Sequence, residues 1–310
     1  MKKYMLPTTL IFGAVIVVAA SFFGGMWYSG VRADSEISEH DLLSKRIFLS
    51  KPNDILVNFE PMRAELRKDL AYYDGKVSLY FEYLPTGTSM RFGDTQQLVP
   101  ASLLKVPVVM ELYRLSEMGK INLDDEIAIR QAWLDEGYGD LYKKGAGNTL
   151  SLRELVALTL EQSDNTALNA IQSVVDEHDD DKTKSAYDSL DVDFGTDRES
   201  LSMSARAYAS FMKCLYFSCY LSVDSSQEIM TYLTKSTYGT TGRIGKYISD
   251  DVTIAHKIGV AGNAVQSDCG IVYVPNRNYI LCVMLDEEQD RGGEAIAQIS
   301  KRVYDYVISK

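Results

Sequence analysis

Strand-type alternation occupies two widely separated stretches of this chain, and nearly everything between them reads as helix. Near one end, Lys76 to Leu84 (KVSLYFEYL) alternates and is β-rich. Pro85-Thr86-Gly87 is a turn signal, and Thr88 to Phe92 can return as a second strand. Near the other end, Val252 to Ile258, Ser267 to Val274 and Tyr279 to Leu285 are short β runs, the last two joined by Pro275 to Asn278. Between them, Leu103–Met118, Leu152–Glu161, Thr166–Val175, Met203–Phe217 and Ser226–Thr234 have helical periodicity. A helix over Phe59–Leu70, with Met62, Leu66 and Leu70 at i+4 spacing, precedes the first strand, and an amphipathic helix over Gly293–Ile308 follows the last. This order predicts an α+β (mixed α/β) fold: one five-stranded antiparallel sheet built from both ends of the chain, flanked by helices, with an all-helical lobe inserted in its middle. The α/β lobe would comprise residues 56–98 and 245–310, and the helical lobe 99–244. A cleft between two lobes is a common place for a ligand.

Upstream of this region, Lys2 and Lys3 precede an uncharged apolar run from about Leu10 to Tyr28, long enough to cross a hydrocarbon core. Trp27 and Tyr28 sit where an interfacial aromatic belt would place them. Residues 1–30 are therefore expected to be an uncleaved single-pass anchor in the cell membrane, in preference to a cleaved signal peptide ending near Ala19-Ala20-Ser21. The lysines place the N-terminus in the cytoplasm and the rest outside. Polar residues 31–55 read as a tether to a monomeric ectodomain. The 43 acidic against 32 basic side chains give a net charge of -11, which disfavours a nucleic-acid partner.

Three histidines (His40, His178 and His256) are too few for a His-rich metal site, and no metal or cofactor is expected. The acidic run Asp176, Glu177, Asp179, Asp180 and Asp181 lacks calcium-loop spacing and reads as a solvated turn. Gly239, Gly242 and Gly245 read as loop glycines. Cys214 and Cys219 read as two buried small hydrophobes. Cys269 and Cys282 could face each other on neighbouring strands, and a disulfide there is left open.

Three short motifs carry the chemistry. Ser102 and Lys105 are three apart at a helix start, one turn from each other on one face. A serine hydroxyl needs a base to become a nucleophile, and a lysine serves if burial or a neighbouring cation lowers its proton affinity. Ser163-Asp164-Asn165 offers a hydroxyl, a carboxylate and an amide in succession, although the same residues could simply cap the helix that follows. His256-Lys257-Ile258-Gly259 ends a strand with a second cation and a glycine that permits close backbone approach. A Ser-His-Asp triad is disfavoured, because His256 and Lys257 point to opposite faces of their strand.

The motifs occur in the order S-x-x-K, S-D-N, K-x-G, spaced by 61 and 94 residues. Together with VPASLLKVPVVMELY, LSLRELVALTLEQSDNTALNAI and IAHKIGVAGNAVQSDCGIVYVPNRNYILCVM, they make residues 55–310 resemble the class A β-lactamase-related serine hydrolases of the β-lactamase and penicillin-binding protein superfamily. The resemblance implies that Ser102 is the acylated nucleophile and Lys105 its base or proton relay. Ser163 would pass a proton to the leaving nitrogen, assisted by Lys257, which would also attract a substrate carboxylate. Asn165 would orient Lys105 and hold a substrate amide, and Gly259 would admit the substrate to the strand. The backbone N–H groups of Ser102 and Val260 would form the oxyanion hole. Asp164 would be structural.

Two departures qualify this. Ile258 replaces the hydroxyl residue that the family places in its third motif. Arg243 could supply a replacement cation but reads first as a solvated loop residue. The family's long deacylation loop is also cut short, since the chain passes from Asp191-Val192-Asp193 almost directly to Ser202, read as the cap of the next helix, with no E-x-x-L-N motif. Glu199 reads as a charge complementing that helix rather than a deacylating base, with Asp193 and Asp197 weaker still. Acylation by a β-lactam or a peptidoglycan stem peptide is therefore expected, and rapid deacylation is not. A D,D-carboxypeptidase-like enzyme and a cell-wall-binding protein that has lost turnover are the rival readings. Tyr138 or Tyr142 could line the cleft mouth.

Overall fold

The computed structural model describes residues 57–178, 185–192, 201–237 and 243–310. The expected anchor and tether lie outside these ranges, as do His40, Asp179, Asp180, Asp181, Asp193, Asp197, Glu199, Ser202's upstream neighbours 193–200, Gly239 and Gly242. Among the described residues no helix is long and apolar enough to cross a membrane.

Helix α1 (Glu60–Leu70) begins with a proline in its first turn and buries Met62, Leu66 and Leu70. Strands β1 (Val77–Tyr83) and β2 (Thr88–Phe92) form the expected hairpin. A 3-10 turn over Ala101–Leu104 leads into α2 (Lys105–Glu117). The inserted region is not purely helical, because β3 (Glu126–Ala128) and β4 (Thr149–Ser151) pair as a small separate sheet. Three-residue strands are too short to show a periodicity. Helix α3 (Leu152–Glu161) starts at a capping box made by Ser151 and Glu154, and α4 (Asn165–His178) follows it. Asp176 and Glu177 belong to α4 rather than to a turn, and Glu177 pairs with Arg130 at 2.8 Å.

A short α5 (Ala186–Ser189) precedes α6 (Ala205–Phe217) and α7 (Val223–Thr234). The cap of α6 is Ser204, not Ser202, since its side chain accepts the Ala207 N–H. Strands β5 (Ile254–Ala261), β6 (Val265–Val272) and β7 (Tyr279–Asp286) and helix α8 (Gln289–Ile308) complete the fold.

The main sheet has five antiparallel strands in the order β2-β1-β7-β6-β5, so the first hairpin pairs with the last strand of the chain. Alternation along β7 sorts its side chains. Tyr279, Leu281, Val283 and Leu285 join a core with α1 and α8, whereas Ile280, Cys282 and Met284 join a larger core with α2, α3, α4, α6 and α7. Both faces of the sheet are thus covered, which explains why β7 reads as one continuous apolar run.

Both cysteine pairs are disulfides: Cys214–Cys219 and Cys269–Cys282. The first corrects the reading of two separate small hydrophobes. Ser218 adopts a left-handed conformation at the end of α6 and turns the chain back, so that the Cys219 N–H reaches the Cys214 carbonyl at 3.0 Å. The second joins directly opposed residues of β6 and β7.

Candidate active site

The turn carrying Ser102 lies against the edge strand β5. In a 3-10 turn, side chains three apart lie one above the other, and here Lys105 Nζ is 3.1 Å from Ser102 Oγ. Ala101, just before the serine, has a φ of 49°, a left-handed conformation uncommon outside glycine. Gly259 of β5 explains how turn and strand come so close: a Cβ there would lie 2.5 Å from the Pro100 carbonyl oxygen. Val260, the second expected oxyanion donor, follows it and is half-buried.

The second motif sits in the turn between α3 and α4. Ser163 has a φ of 57°, and its carbonyl accepts a hydrogen bond from Lys105 Nζ at 2.6 Å. Its hydroxyl bridges the two lysines, 3.1 Å from Lys105 Nζ and 2.9 Å from Lys257 Nζ. Asn165 Oδ1 accepts from Lys105 Nζ at 2.7 Å. Asp164 accepts backbone N–H groups from Ala167 at 2.8 Å and Leu141 at 2.9 Å, so it caps α4 and ties down the preceding loop. Gly139 lies against it with a φ of +84°, and a Cβ there would come within 2.0 Å of Asp164 Oδ2. Ser102, Lys105, Ser163, Asn165 and Lys257 thus converge in one cluster.

Both lysines are buried. Burial lowers the pKa of Lys105 from 10.5 to about 8, with Asp164 and then Asp135 pulling it back up. Burial drives Lys257 well below its ordinary value, and the neighbouring charges of Lys105 and Arg243 add to this. A lysine so shifted more readily gives up and takes back a proton near neutral pH, and a hydroxyl held between two amines can relay one.

Ile258 is buried and lies opposite Asp268 on β6, on the face of β5 away from Lys257. His256 shares that face and pairs with Asp268 at 2.8 Å, while Asp268 also accepts the Ile244 N–H at 3.1 Å. The chain therefore contains a His–Asp pair, on the side of the sheet opposite the serine. Arg243 is not a solvated loop residue. Its guanidinium donates to the fully buried Gln266, and burial lowers its proton affinity. Sequence reasoning missed Asp135, whose carboxylate touches Asn165. Tyr138 stands nearby, its carbonyl accepting the Asn165 N–H at 2.9 Å.

The family model described as "Beta-lactamase enzyme family" matches residues 61–307. The chain belongs to the β-lactamase enzyme family. It is a serine hydrolase related to the class A enzymes, with their sheet and helical insert. Its fold is similar to a β-lactamase from Sphaerobacter thermophilus (24% identity, 82% of this chain and 99% of that one, TM-score 0.71). It is also similar to a β-lactamase from Chitinophaga pinensis (22% identity, 79% and 99% covered, TM-score 0.71). A third similar structure is PBP-A (22% identity, 81% and 97% covered, TM-score 0.71), a variant of which was captured as an acyl-enzyme with penicillin G. No curated protein sequence matches the chain.

Proposed function

We propose that this β-lactamase-family hydrolase forms an acyl-serine intermediate with β-lactams and cell-wall stem peptides and releases β-lactams slowly. The observation that carries this reading is the unbroken chain of contacts from Ser102 Oγ through Lys105 Nζ and Ser163 Oγ to Lys257 Nζ, at 3.1, 3.1 and 2.9 Å. Neutral Lys105 takes the Ser102 proton as Oγ attacks the substrate carbonyl. The resulting oxyanion is met by the N–H groups of Ser102 and Val260. The tetrahedral intermediate then collapses: the C–N bond breaks, Ser163 gives its proton to the leaving nitrogen, and Lys105 returns a proton to Ser163. Asn165 holds the amide on the acyl side. Ile258 offers a substrate carboxylate no hydroxyl, and Lys257, beside Ser163 at 2.9 Å, is the cation that would attract one when it carries a proton.

Slow release is supported by the shortened loop after Asp191 and by how the described carboxylates near Lys105 are held. Among the described residues, those acting on Lys105 are Asp164 and Asp135. Asp164 is occupied by two backbone N–H groups, and Asp135 is bound to Asn165 and Gly137. Neither is poised to activate a water. The same features suit a D,D-peptidase, whose peptide acyl group is less hindered.

We also propose that the domain lies outside the cytoplasm, tethered by the apolar run Leu10–Tyr28. Support comes from the lysines that precede that run and from the two disulfides, which persist in oxidising compartments.

Intact-mass analysis of the purified protein mixed with penicillin tests the reading. A lasting adduct on Ser102, absent in Ser102→Ala, is expected. Rapid drug consumption with no accumulating adduct would point to a β-lactamase with an efficient deacylating group. No adduct and no consumption would favour a binding protein without turnover.

A further inference from the structure

Asn165 must present its carbonyl oxygen, not its amide nitrogen, to Lys105. A carboxamide has an accepting end and a donating end, and only its partners decide which way it faces. At one end Oδ1 accepts from Lys105 Nζ at 2.7 Å, and at the other Nδ2 donates to Asp135 Oδ1 at 2.9 Å. Turned over, the amide would set N–H against the lysine's own hydrogens and oxygen against a carboxylate. One hydrogen of Nδ2 is consumed by Asp135, which leaves the second for a substrate carbonyl.

Asp135 is itself firmly held. Its Oδ1 also accepts the Gly137 N–H at 2.7 Å. Its backbone N–H donates to Thr166 Oγ1 at 2.9 Å, and its carbonyl accepts that hydroxyl at 3.3 Å. Thr166 is fully buried and adjoins Asn165, so one helical turn fixes both the amide and its anchor. A Cβ at Gly137 would lie 2.9 Å from Asp135 Oδ1 and 3.0 Å from Asn165 Nδ2, so a side chain there would have to push this pair aside. Asp164, the other nearby carboxylate, cannot do the same work because backbone N–H groups occupy it.

We infer that Asp135 is a positioning residue for acylation, acting through Asn165 to fix the amide toward Lys105 and the substrate. The inference rests on the reading of Ser102 as nucleophile and Lys105 as its base. A second effect accompanies the first. The Asn165 and Gly137 hydrogen bonds hold the Asp135 carboxyl below the usual range, so it is ionised at neutral pH. The titratable groups facing Lys105 are then Asp164 at the cap of α4, Asp135 in the loop before β4, and Lys257 on β5.

The test uses the full-length chain and two variants, Asp135→Ala and Asp135→Asn. Acylation by penicillin is measured on the alkaline plateau, where Lys105 is neutral in every form. In parallel, the Lys105 ammonium is titrated by nitrogen NMR in the ligand-free proteins. Asp135→Ala is expected to slow acylation by about tenfold or more, the effect of losing a hydrogen bond to a charged group. Asp135→Asn keeps an accepting oxygen and should recover most of that rate. Both variants should move the Lys105 midpoint to lower pH, which a purely structural role would not do. Wild-type acylation by Asp135→Ala, or an unchanged Lys105 midpoint in both variants, would overturn the inference. Failure of the wild type to acylate would instead remove the functional reading, and the NMR midpoint would still decide whether Asp135 acts on Lys105.

Discussion

Raising the pH should switch acylation on, with a midpoint set by Lys105. Only the neutral amine can take the Ser102 proton. With its pKa lowered from 10.5 to about 8, about one Lys105 in ten is neutral at pH 7, against about one in three thousand for an ordinary lysine. Burial therefore increases the competent population by roughly 300-fold. Below the midpoint the acylation rate should rise about tenfold per pH unit, then level off. The same shift has a cost in stability, on the order of 3 kcal/mol at pH 7. The unfolded chain holds more protons than the native state between about pH 8 and 10.5, so stability should rise with pH across that window. Lys257 is displaced in the same direction and adds to the slope. Stopped-flow acylation by a chromogenic cephalosporin from pH 5.5 to 10, with urea unfolding at pH 7 and 9.5, measures both. Lys105→Met should abolish acylation, and its stability relative to wild type should be more favourable at pH 7 than at pH 9.5. A wild-type rate that is flat between pH 6 and 9, or a midpoint near 10.5, would refute Lys105 as the base.

Ser163→Ala should lower the acylation rate by about 10²- to 10³-fold, because it removes the relay between two lysines, while the protein stays folded by circular dichroism. Gly139→Ala should destabilise by roughly 2–4 kcal/mol in thermal unfolding and impair acylation, since its Cβ would meet Asp164 at a φ of +84°. Gly75→Ala is the control: its φ is +73° with nothing within 4 Å, so it should show only the smaller backbone cost of about 1 kcal/mol. Replacing Cys269 and Cys282 together by serine should lower the thermal midpoint, since two hydroxyls would be left in a fully buried place.

Much of the framework was legible because local signals agreed with tertiary packing. Thr88–Phe92 and Leu152–Glu161 were readable to the residue. The first follows a clear turn, and the second starts at a serine with a glutamate three residues on. The residues that converge at the site were legible only as a set, since each motif alone has an ordinary capping or surface reading. Asp135 was not legible at all. It lies 30 residues before Asn165 in a stretch with no motif, and only the fold of the intervening segment, with β4 and α3, brings the two together. Arg243 was misjudged for a related reason, because its burial depends on Gln266 and on α8 rather than on its neighbours in sequence. The Cys214–Cys219 bridge depends on a left-handed residue at the end of α6 that helical periodicity does not reveal.

The pairing of β1 with β7 has a consequence for how the molecule comes into being. Val77 is opposite Leu285 and Tyr83 is opposite Tyr279, so the first strand finds its central partner only after some 200 further residues have been made. At roughly 5–20 residues per second, synthesis leaves the β1–β2 hairpin waiting on the order of ten seconds or more. An isolated hairpin is marginal in water, so that apolar strand stays without its permanent cover throughout. The helical insert, rich in local contacts, can collapse during this interval, whereas the sheet closes last and slowly. Ser102 and Lys257 come from opposite sides of that delay. The nucleophile and the second lysine therefore meet only when the chain is nearly complete, and no nascent fragment lacking β5 can assemble this cluster.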